Sequence, residues 1–480
     1  MLFNSIDFIF FLPTVFILYW FFTNWNLKVQ NLLIVCSSYI FYGWWDWRFL
    51  SLIIFSTVVD FIVGINLSKN SSDSRRKFLL YVSIFVNIGF LGFFKYFNFF
   101  VDSFYDAFMF LGVPFSDYSL KIILPVGISF YTFQTLSYTL DVYKGKLKAT
   151  DDFISFSAFV SFFPQLVAGP IERATNLLPQ FQRKRHFDYS KAVDGMRQIL
   201  WGFFKKIVIA DNCAIVVNYT FENYHILNGS TLGLGAVFFA FQIYCDFSGY
   251  SDIAIGTSRL FGFDLMKNFA FPYFSRDIAE FWRRWHISLS YWFRDYLYIP
   301  LGGSRSGNKI LNIFVIFVVS GFWHGANWTF IAWGAINALY FLPLLLTNNN
   351  RTNLDIVAQN KYFPSIYEFF QMLSTFLLTI IAWVFFRSNS LNDAFGYLSR
   401  IFSNSIFDVP NFENLFLVKT TTFLILIFII IEWIGRENEF AISKVGLKWN
   451  ILLRYSFYYV LIISMFYFGK SEQQFIYFQF

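Results

Sequence analysis

Twelve mostly apolar segments dominate this sequence and restrict what it can fold into. A helix that crosses the hydrocarbon core of a bilayer needs about 20 mostly apolar residues. The segments are residues 7–22, 29–45, 49–66, 78–95, 121–140, 154–168, 231–245, 311–323, 329–346, 371–386, 419–433 and 452–468. Some are short enough to be re-entrant or buried helices, so we predict an all-α polytopic membrane protein with roughly ten to twelve transmembrane helices.

The composition argues against a soluble enzyme. Of the 480 residues, 56% are hydrophobic and only 14% are charged, whereas a soluble domain carries about a quarter charged residues. A soluble fold would have to expose much of its Phe and Leu. The first segment is not expected to be a signal peptide, because no basic residue precedes it and no small-residue cleavage site follows it.

Basic residues collect in two places between the apolar segments. Lys69, Arg75, Arg76 and Lys77 follow the third segment, and a larger group lies in residues 181–206. Short cytoplasmic loops of membrane proteins carry an excess of Lys and Arg. We therefore place the first of these loops in the cytoplasm, which makes the amino terminus extracytoplasmic. Lipid headgroups are sufficient partners for these charges, and no nucleic-acid partner is predicted.

Metal, nucleotide and disulfide signatures are missing from the sequence. The three cysteines form no CxxC pair, and the four histidines are scattered, so neither a disulfide framework nor a metal site is predicted. The sequence contains no HExxH, Walker A or GxGxxG motif. No bound cofactor is therefore expected.

A histidine between two apolar segments is the first candidate for chemistry. His324 lies in GFWHGANW (321–328), between the apolar residues 311–320 and 329–346. An ionisable side chain at membrane depth is a functional candidate by default. A neutral imidazole can act as a general base toward a hydroxyl group. The alternative is a packing histidine that is hydrogen-bonded to a neighbouring helix, and the spacing alone does not separate the two.

The residues around His324 add to this hypothesis. We predict that one helix runs through 321–328, so that Asn327 and Trp328 share the face of His324, because residues three and four apart are neighbours on a helix. Gly321 and Gly325 form a small-xxx-small pair that allows a second helix to approach closely.

Residues 280–305 carry the pattern of an amphipathic helix. Trp282, Trp285 and Trp292 share an apolar face, and Arg283 and Arg284 fall on the opposite face. Such a helix lies in the membrane interface rather than across the bilayer. We predict one helix over 280–296 along the cytoplasmic interface, with its arginines directed at headgroups or at the pyrophosphate of a coenzyme A donor. The second candidate histidine, His286, falls at the border between the two faces.

A polar cluster follows the apolar segment that ends at residue 245. It contains Asp246, Tyr250 and Asp252 within IYCDFSGYSDIAIG (243–256). Residues six apart lie on different faces of a helix, so the two carboxylates are not predicted to form an acid/base pair. One of them could bind a cation or orient a histidine. Alternatively, both cap short helices at the membrane interface.

Two further segments are interrupted by proline and glycine. Pro125 and Gly127 break the apolar segment that begins at 121, and Pro164, Gly169 and Pro170 surround a short apolar run in 162–173. Broken helices at membrane depth are tolerated where they line a cavity or are buried in protein. We predict a cavity-lining helix for 124–145 and a re-entrant loop for 162–173.

Together these motifs resemble the membrane-bound O-acyltransferase (MBOAT) family, in particular its bacterial branch of alginate O-acetyltransferase membrane subunits. The strongest resemblance is FWRRWHISLSYWFRDYLYIPLGG (281–303) followed by GFWHGANWTFIAWG (321–334). The supporting motifs are YTFQTLSYTLDVYKG (131–145), FFPQLVAGPIER (162–173), YCDFSGYSDIAIG (244–256), WVFFRS (383–388) and FIYFQF (475–480). They extend over nearly the whole chain.

The resemblance implies a fold, an activity and site residues. It implies a bundle of membrane helices around a central funnel or tunnel, in which His324 matches the essential histidine of the family and His286 its second histidine-type position. It implies transfer of an acetyl group, from acetyl-CoA as the donor, to an extracellular or periplasmic polysaccharide. Secreted or periplasmic acetyltransferases are the implied partner proteins, and the bacterial cytoplasmic membrane is the implied location.

The candidate site residues are two catalytic histidines and a set of substrate-binding residues. The predicted substrate-binding residues are Trp323, Asn327, Arg283, Arg284, Asp246, Tyr250 and Asp252. Sequences of this branch commonly carry a further His-Gly, and here the corresponding positions are Asn337 and Ala338, so the role of that extra histidine is not carried over to this chain.

Three alternatives to polysaccharide acetylation stay open at this point. They are a transport subunit, a scaffold that anchors secreted acetyltransferases, and an enzyme that transfers D-alanine to teichoic acid. A scaffold has no use for a buried imidazole, and a transporter does not require acetyl-CoA. We treat residues 1–480 as a single membrane domain with amino-terminal helices in 1–120, a catalytic core in 121–346 and carboxyl-terminal helices in 347–480.

Overall fold

The computed structural model describes residues 1–112, 119–167, 169–303, 308–469 and 473–476. All regular secondary structure in these ranges is helical, as predicted. Parts of three predicted motifs lie outside the described residues. They are residue 168 of the 162–173 segment, residues 304 and 305 of the 280–305 segment, and residues 477–480 of the terminal motif.

The apolar segments lie largely within α-helices, and further α-helices lie between them. In chain order they are α1 (Ile6–Ile17), α2 (Leu27–Asp46), α3 (Leu50–Lys69), α4 (Asp73–Leu91), α5 (Phe97–Phe110), α6 (Ile128–Tyr143), α7 (Phe153–Ser161), α8 (Phe163–Leu166), α9 (Ala174–Phe181), α10 (Tyr189–Phe203), α11 (Asp211–Glu222), α12 (Gly229–Leu260), α13 (Ile278–Arg284), α14 (Ile287–Phe293), α15 (Lys309–His324), α16 (Trp328–Leu346), α17 (Ile366–Arg387), α18 (Leu391–Ile401), α19 (Leu415–Gly435) and α20 (Ile451–Phe468). Within the described ranges, four π-helical segments extend them at Leu18–Phe22, Gly92–Tyr96, Phe204–Ala210 and Arg294–Tyr298.

In the described part of the chain, seven helical stretches are long and apolar enough to cross a membrane. They are Leu27–Lys69, Asp73–Phe110, Gly229–Leu260, Trp328–Leu346, Ile366–Arg387, Leu415–Gly435 and Ile451–Phe468. Shorter apolar helical stretches lie at Ile6–Phe22, Phe153–Leu166 and Lys309–His324. Seven is fewer than the predicted ten to twelve spans, partly because the first two stretches each contain two consecutive α-helices. The chain is a multi-pass membrane protein.

The chain forms two compact units. The first comprises Met1–Ala192 and Thr257–Met266, and the second comprises Val193–Gly256 and Lys267–Phe480. The division into 1–120, 121–346 and 347–480 stays a prediction.

Three helices of the first unit enclose a polar core. The Asp60 carboxylate on α3 is fully buried and accepts hydrogen bonds from Ser83 Oγ (2.5 Å) and Asn87 Nδ2 (2.8 Å) on α4 and from Thr139 Oγ1 (3.1 Å) on α6. A buried polar group is tolerated when its hydrogen bonds are made. These bonds tie α3, α4 and α6 together.

The predicted breaks in the first unit are present. Gly127 adopts a left-handed backbone conformation (φ 75°) immediately before α6 begins, and a side chain there would lie 2.9 Å from the Leu166 carbonyl oxygen. Phe162 takes a non-helical conformation that separates α7 from α8. The chain can therefore turn within apolar surroundings at both places.

The basic region 181–206 is more than a loop between apolar segments. Most of its second half is helix α10, and Arg197, Lys205 and Lys206 are buried within the second unit. Arg197 donates to the carbonyl oxygens of residues 442, 443 and 445. These three charged groups are neutralised or hydrogen-bonded inside the protein. The number of basic residues in 181–206 therefore does not indicate which side of the membrane this region faces. The extracytoplasmic amino terminus stays a prediction.

Candidate active site

His324 lies at the end of a helix. α15 ends at His324, Gly325 is extended, and Asn327 caps the start of α16 by accepting a hydrogen bond from Thr329 N at 3.0 Å. The predicted continuous helix through 321–328 is therefore wrong, and Asn327 does not share the helical face of His324. An Asn side chain satisfies the open N–H groups of a helix start, which favours a turn here. Asn327 also donates to the Asn389 carbonyl oxygen at 2.9 Å.

α15 and α16 pack so closely that glycine is required between them. A side-chain carbon at Gly321 would lie 2.1 Å from the Phe330 carbonyl oxygen, and one at Gly334 would lie 2.3 Å from the Phe317 carbonyl oxygen. Close approach at Gly321 was predicted. Gly325 instead faces the Phe330 ring. The resulting hairpin fixes the end of α15 and therefore the position of His324.

His286 lies at a sharp break in the segment that was predicted to be one helix over 280–296. α13 ends at Arg284, α14 begins at Ile287, and His286 between them has φ 44° and ψ 54°. The prediction of one continuous helix is therefore wrong, whereas its location along the cytoplasmic interface stays a prediction. The break turns both Trp285 and His286 inward, and each is only 1% exposed.

The two predicted phosphate-binding arginines bind protein groups in this structure. Arg283 donates to the carbonyl oxygens of Asn350 (2.9 Å) and Asn353 (2.6 Å). Arg284 pairs with the Glu280 carboxylate at 2.8 Å. Contact of either arginine with headgroups or with a coenzyme A donor stays a prediction, and it would require these bonds to be exchanged.

The two histidines lie close together in an aromatic environment. Their ring centroids are 6.3 Å apart, and both side chains are buried. The surrounding rings are Trp323, Trp333 and Phe386 around His324, and Phe247, Phe269 and Trp323 around His286. The predicted residue Trp323 thus contacts both imidazoles.

The aromatic surroundings keep His286 neutral. Burial lowers its pKa from 6.5 to about 3, because a charged imidazole loses its hydration in apolar surroundings. At neutral pH the ring therefore carries a single proton. A neutral imidazole has one nitrogen that donates a hydrogen bond and one that accepts a proton or a hydrogen bond.

An apolar cavity of about 240 Å³ lies in the second unit. Its walls are mainly aromatic and aliphatic side chains of α12, α17 and α19. Two of its lining residues, Tyr244 and Tyr273, have ring centroids 6.1 and 6.0 Å from that of Trp285, the residue that precedes His286. The predicted central tunnel stays a prediction.

Asp246 and Asp252 form ion pairs with buried lysines instead of capping short helices. Both lie inside the long helix α12. Asp246 pairs with Lys206 at 2.9 Å, and Asp252 pairs with Lys205 at 2.6 Å. The capping alternative is therefore wrong, and the carboxylates neutralise two lysines that membrane depth would otherwise disfavour.

The same region binds the described carboxyl-terminal residues. Asp246 Oδ2 accepts a hydrogen bond from Ile476 N at 2.7 Å. The ring centroids of Tyr250 and Phe475 are 4.2 Å apart. The contacts of Asp246 and Tyr250 in the structure are thus internal, and their predicted role in substrate binding stays a prediction.

Sequence reasoning missed Asn268, which contacts His286. Its side chain is fully buried, and its Oδ1 lies 3.0 Å from His286 Nδ1. Asn268 lies 18 residues before His286 in an irregular segment, so no periodic pattern indicates it. The only available signal was its position between two recognisable motifs.

Comparison with known protein families shows a match over the part of the chain that contains the candidate site. The model of the family described as MBOAT, membrane-bound O-acyltransferase, matches residues 148–388, which contain both histidines and Asn268.

Relatives extend the similarity over the whole chain. A protein named "Probable alginate O-acetylase AlgI" from Pseudomonas putida is 36% identical, with all of both chains aligned. The peptidoglycan O-acetyltransferase of Helicobacter pylori is 31% identical over 100% of this chain and 98% of its own. The teichoic acid D-alanyltransferase of Streptococcus thermophilus is 30% identical over 56% of this chain and 69% of its own.

Proposed function

The chain belongs to the membrane-bound O-acyltransferase family, and on that premise we propose that it supplies acetyl groups from cytoplasmic acetyl-CoA for O-acetylation of an alginate-type polysaccharide outside the cytoplasm. The chain is a membrane O-acyltransferase. The observation that carries the proposed mechanism is the pair of buried histidines with ring centroids 6.3 Å apart. The full-length similarity to a protein named as an alginate O-acetylase supports both the acetyl group and the polymer class.

The proposed reaction joins the acceptor hydroxyl to the acetyl carbonyl carbon. His324 takes the hydroxyl proton as the oxygen attacks, the carbon–sulfur bond of the thioester breaks, and the departing thiolate receives a proton from the imidazolium. The products are an acetyl ester and free coenzyme A, with no net change in protons. A general base of this kind contributes about 10²–10⁴-fold to the rate.

The apolar interior of the bilayer limits where the acetyl-CoA donor can bind. Coenzyme A carries charged phosphates, and moving a charge to membrane depth costs several kcal/mol or more. The donor therefore remains on the cytoplasmic side while its acyl end enters the protein. His286 lies on the donor side in this mechanism and orients the acyl end or its pantetheine arm. The acceptor, a sugar or a secreted or periplasmic acetyltransferase, approaches from the opposite side.

Peptidoglycan is the second candidate polymer, because a peptidoglycan O-acetyltransferase is similar over almost its entire length. Transfer of D-alanine to teichoic acid has weaker support, since the D-alanyltransferase similarity covers only 56% of this chain. A scaffold without chemistry would give no role to the buried pair of histidines. Acetyl ester content measured separately on each extracted polymer distinguishes these candidates.

The proposed function is tested in cells of the source bacterium that lack the chromosomal copy. Wild type, His324→Ala and His186→Ala are each expressed there, and the O-acetyl ester content of the extracellular polysaccharide is measured. His186 is an exposed histidine and provides the matched control. We expect His324→Ala to lower acetylation about 10²–10⁴-fold at normal protein abundance, with His186→Ala unchanged. Near wild-type acetylation in His324→Ala would contradict the proposal.

A further inference from the structure

We propose that Asn268 is a positioning residue that fixes the tautomer of His286, with the proton on Nδ1 and the basic lone pair on Nε2. The inference rests on the proposed function for its catalytic meaning, whereas the tautomer itself can be measured without turnover. In this tautomer, His286 Nε2 accepts a hydrogen bond from an N–H or O–H group of the acetyl-CoA substrate. It does not donate a hydrogen bond to a carbonyl oxygen.

The Asn268 side chain is held from three directions. Its Oδ1 lies 3.0 Å from His286 Nδ1 and accepts a hydrogen bond from Ser288 Oγ at 2.9 Å. Its Nδ2 donates to Ser251 Oγ on α12 at 3.1 Å. All four side chains are almost completely buried. In the structure, the carboxamide oxygen therefore faces His286 and Ser288, and the carboxamide nitrogen faces Ser251.

The orientation of this oxygen decides which imidazole nitrogen is protonated. A carboxamide oxygen can only accept hydrogen bonds, so the nitrogen it faces must carry a proton. A neutral imidazole has one proton, and placing it on Nδ1 leaves the lone pair on Nε2. His286 in this form cannot donate a hydrogen bond from Nε2 to an oxyanion. It can accept one from an amide N–H of a pantetheine arm or from a hydroxyl group.

The backbone of Asn268 holds the break that presents His286. Ile287 N donates to the Asn268 carbonyl oxygen at 2.9 Å, and Ala270 N donates to the Arg284 carbonyl oxygen at 2.9 Å. These two hydrogen bonds hold the backbone on both sides of His286. The left-handed conformation of His286 is unfavourable for a residue with a β-carbon. Strained conformations of this kind persist where the surroundings over-determine them, and they cluster at active sites. Asn268 thus contacts the turn through its backbone and the imidazole ring through its side chain.

The first test reads the tautomer directly. The full chain is labelled with ¹⁵N-histidine in nanodiscs, the His286 signals are assigned with His286→Gln, and the shifts of the two ring nitrogens are measured at neutral pH. We expect Nδ1 to be protonated and Nε2 to be unprotonated. The opposite tautomer, or a mixture, would overturn the inference. Because no turnover is involved, this result stands apart from whether the proposed acetyl transfer is correct.

The second test compares variants that retain or remove the accepting oxygen. Asn268→Asp retains it and adds a negative charge, Asn268→Leu removes it, and Ser288→Ala removes the other hydrogen bond to it. We expect Asn268→Leu to lower kcat at least roughly tenfold and to lose the single tautomer, since a misplaced proton on a catalytic histidine is costly. Ser288→Ala should keep the Nδ1-protonated tautomer.

Asn268→Asp separates positioning from a merely structural role. A carboxylate beside the imidazole favours its charged form, so the acidic limb of the pH–rate profile should move to higher pH while the Nδ1-protonated tautomer is retained. A structural role alone would reduce the amount of folded protein for both Asn268 variants and leave the pH profile and the tautomer as in wild type. That outcome would overturn the inference.

Discussion

At the residue scale, His324 and His286 lie in the same aromatic cluster but have different local environments. His324 ends a helix whose partner helix packs against it through glycine. His286 occupies a strained turn and is oriented by a carboxamide. This difference supports different roles in the proposed reaction, with His324 as the base and His286 as the residue that orients the donor.

The division of roles predicts different defects in the two alanine variants. His324→Ala should still bind acetyl-CoA but should stop turnover, because the variant lacks only the proton acceptor. His286→Ala should bind the donor more weakly. Both properties are measured on protein in nanodiscs, by equilibrium binding of labelled acetyl-CoA and by acyl transfer. Loss of binding in His324→Ala together with full transfer in His286→Ala would show that the roles are wrongly assigned.

A buried carboxylate in the first unit predicts a pH dependence of stability. Glu172 accepts hydrogen bonds from Met266 N and Asn176 Nδ2, and burial raises its pKa from 4.5 to about 7. A carboxyl group with a raised folded-state pKa stabilises the fold below its unfolded pKa, and this stabilisation is lost as pH rises through the folded pKa. The affected window is therefore about pH 4.5 to 7.

The variant Glu172→Gln tests this dependence. It should remove a destabilisation of up to about 3 kcal/mol above pH 7, because the Gln amide ionises in neither the folded nor the unfolded state. Melting temperatures in detergent are compared at pH 5 and pH 8. We expect Glu172→Gln to gain stability over wild type at pH 8 relative to pH 5. An equal effect at both pH values would mean that Glu172 does not titrate in this window.

At the element scale, the hairpin of α15 and α16 sets the position of His324. Gly334→Ala should force the helices apart, since its new carbon would lie 2.3 Å from the Phe317 carbonyl oxygen. Overpacking of this kind costs about 1–3 kcal/mol. Gly89→Ala is the matched control, because its added carbon would meet no atom within 4 Å beyond its chain neighbours and the backbone of its own helix.

The measurement is acyl transfer and melting temperature for both glycine variants. We expect Gly334→Ala to lose activity and melt at a lower temperature, and Gly89→Ala to behave like wild type. Similar behaviour of the two variants would show that close packing of the hairpin does not govern the site.

Most helices could be predicted from the sequence because lipid-facing and core positions are both apolar. Residues 311–323 and 371–386 were predicted, and the helices run from Lys309 to His324 and from Ile366 to Arg387. The break at His286 could not be predicted in this way. Periodicity over 280–296 is helical on both sides of the break, and the residue that holds the turn, Asn268, is distant in sequence.

Some of the candidate site residues could likewise be identified from the sequence, and others could not. His324 and His286 could be identified from their motifs, and the structure brings their ring centroids to 6.3 Å. The buried lysine partners of Asp246 and Asp252 could not be identified from the sequence, because they lie in a basic stretch that is also typical of a cytoplasmic loop. Local charge patterns do not distinguish an internally neutralised lysine from one that faces headgroups.

At the scale of the whole molecule, the central claim is that acetyl groups cross the membrane through this protein. Seven helical stretches in the described residues can span a bilayer, and the proposed donor is too highly charged to enter hydrocarbon. Under this proposal, donor and acceptor meet the protein from opposite sides. This requirement separates the proposal from a transporter of a finished acetylated product and from a scaffold.

Inverted membrane vesicles from the source bacterium test this claim most directly, because their outer surface is the cytoplasmic face. Labelled acetyl-CoA is added outside, and acetyl ester is measured on polysaccharide enclosed in the lumen, for wild type and His324→Ala. The account predicts lumenal acetyl ester in wild type, almost none in His324→Ala, and none when the donor is given to right-side-out vesicles. Equal labelling in both vesicle orientations, or in both proteins, would contradict it.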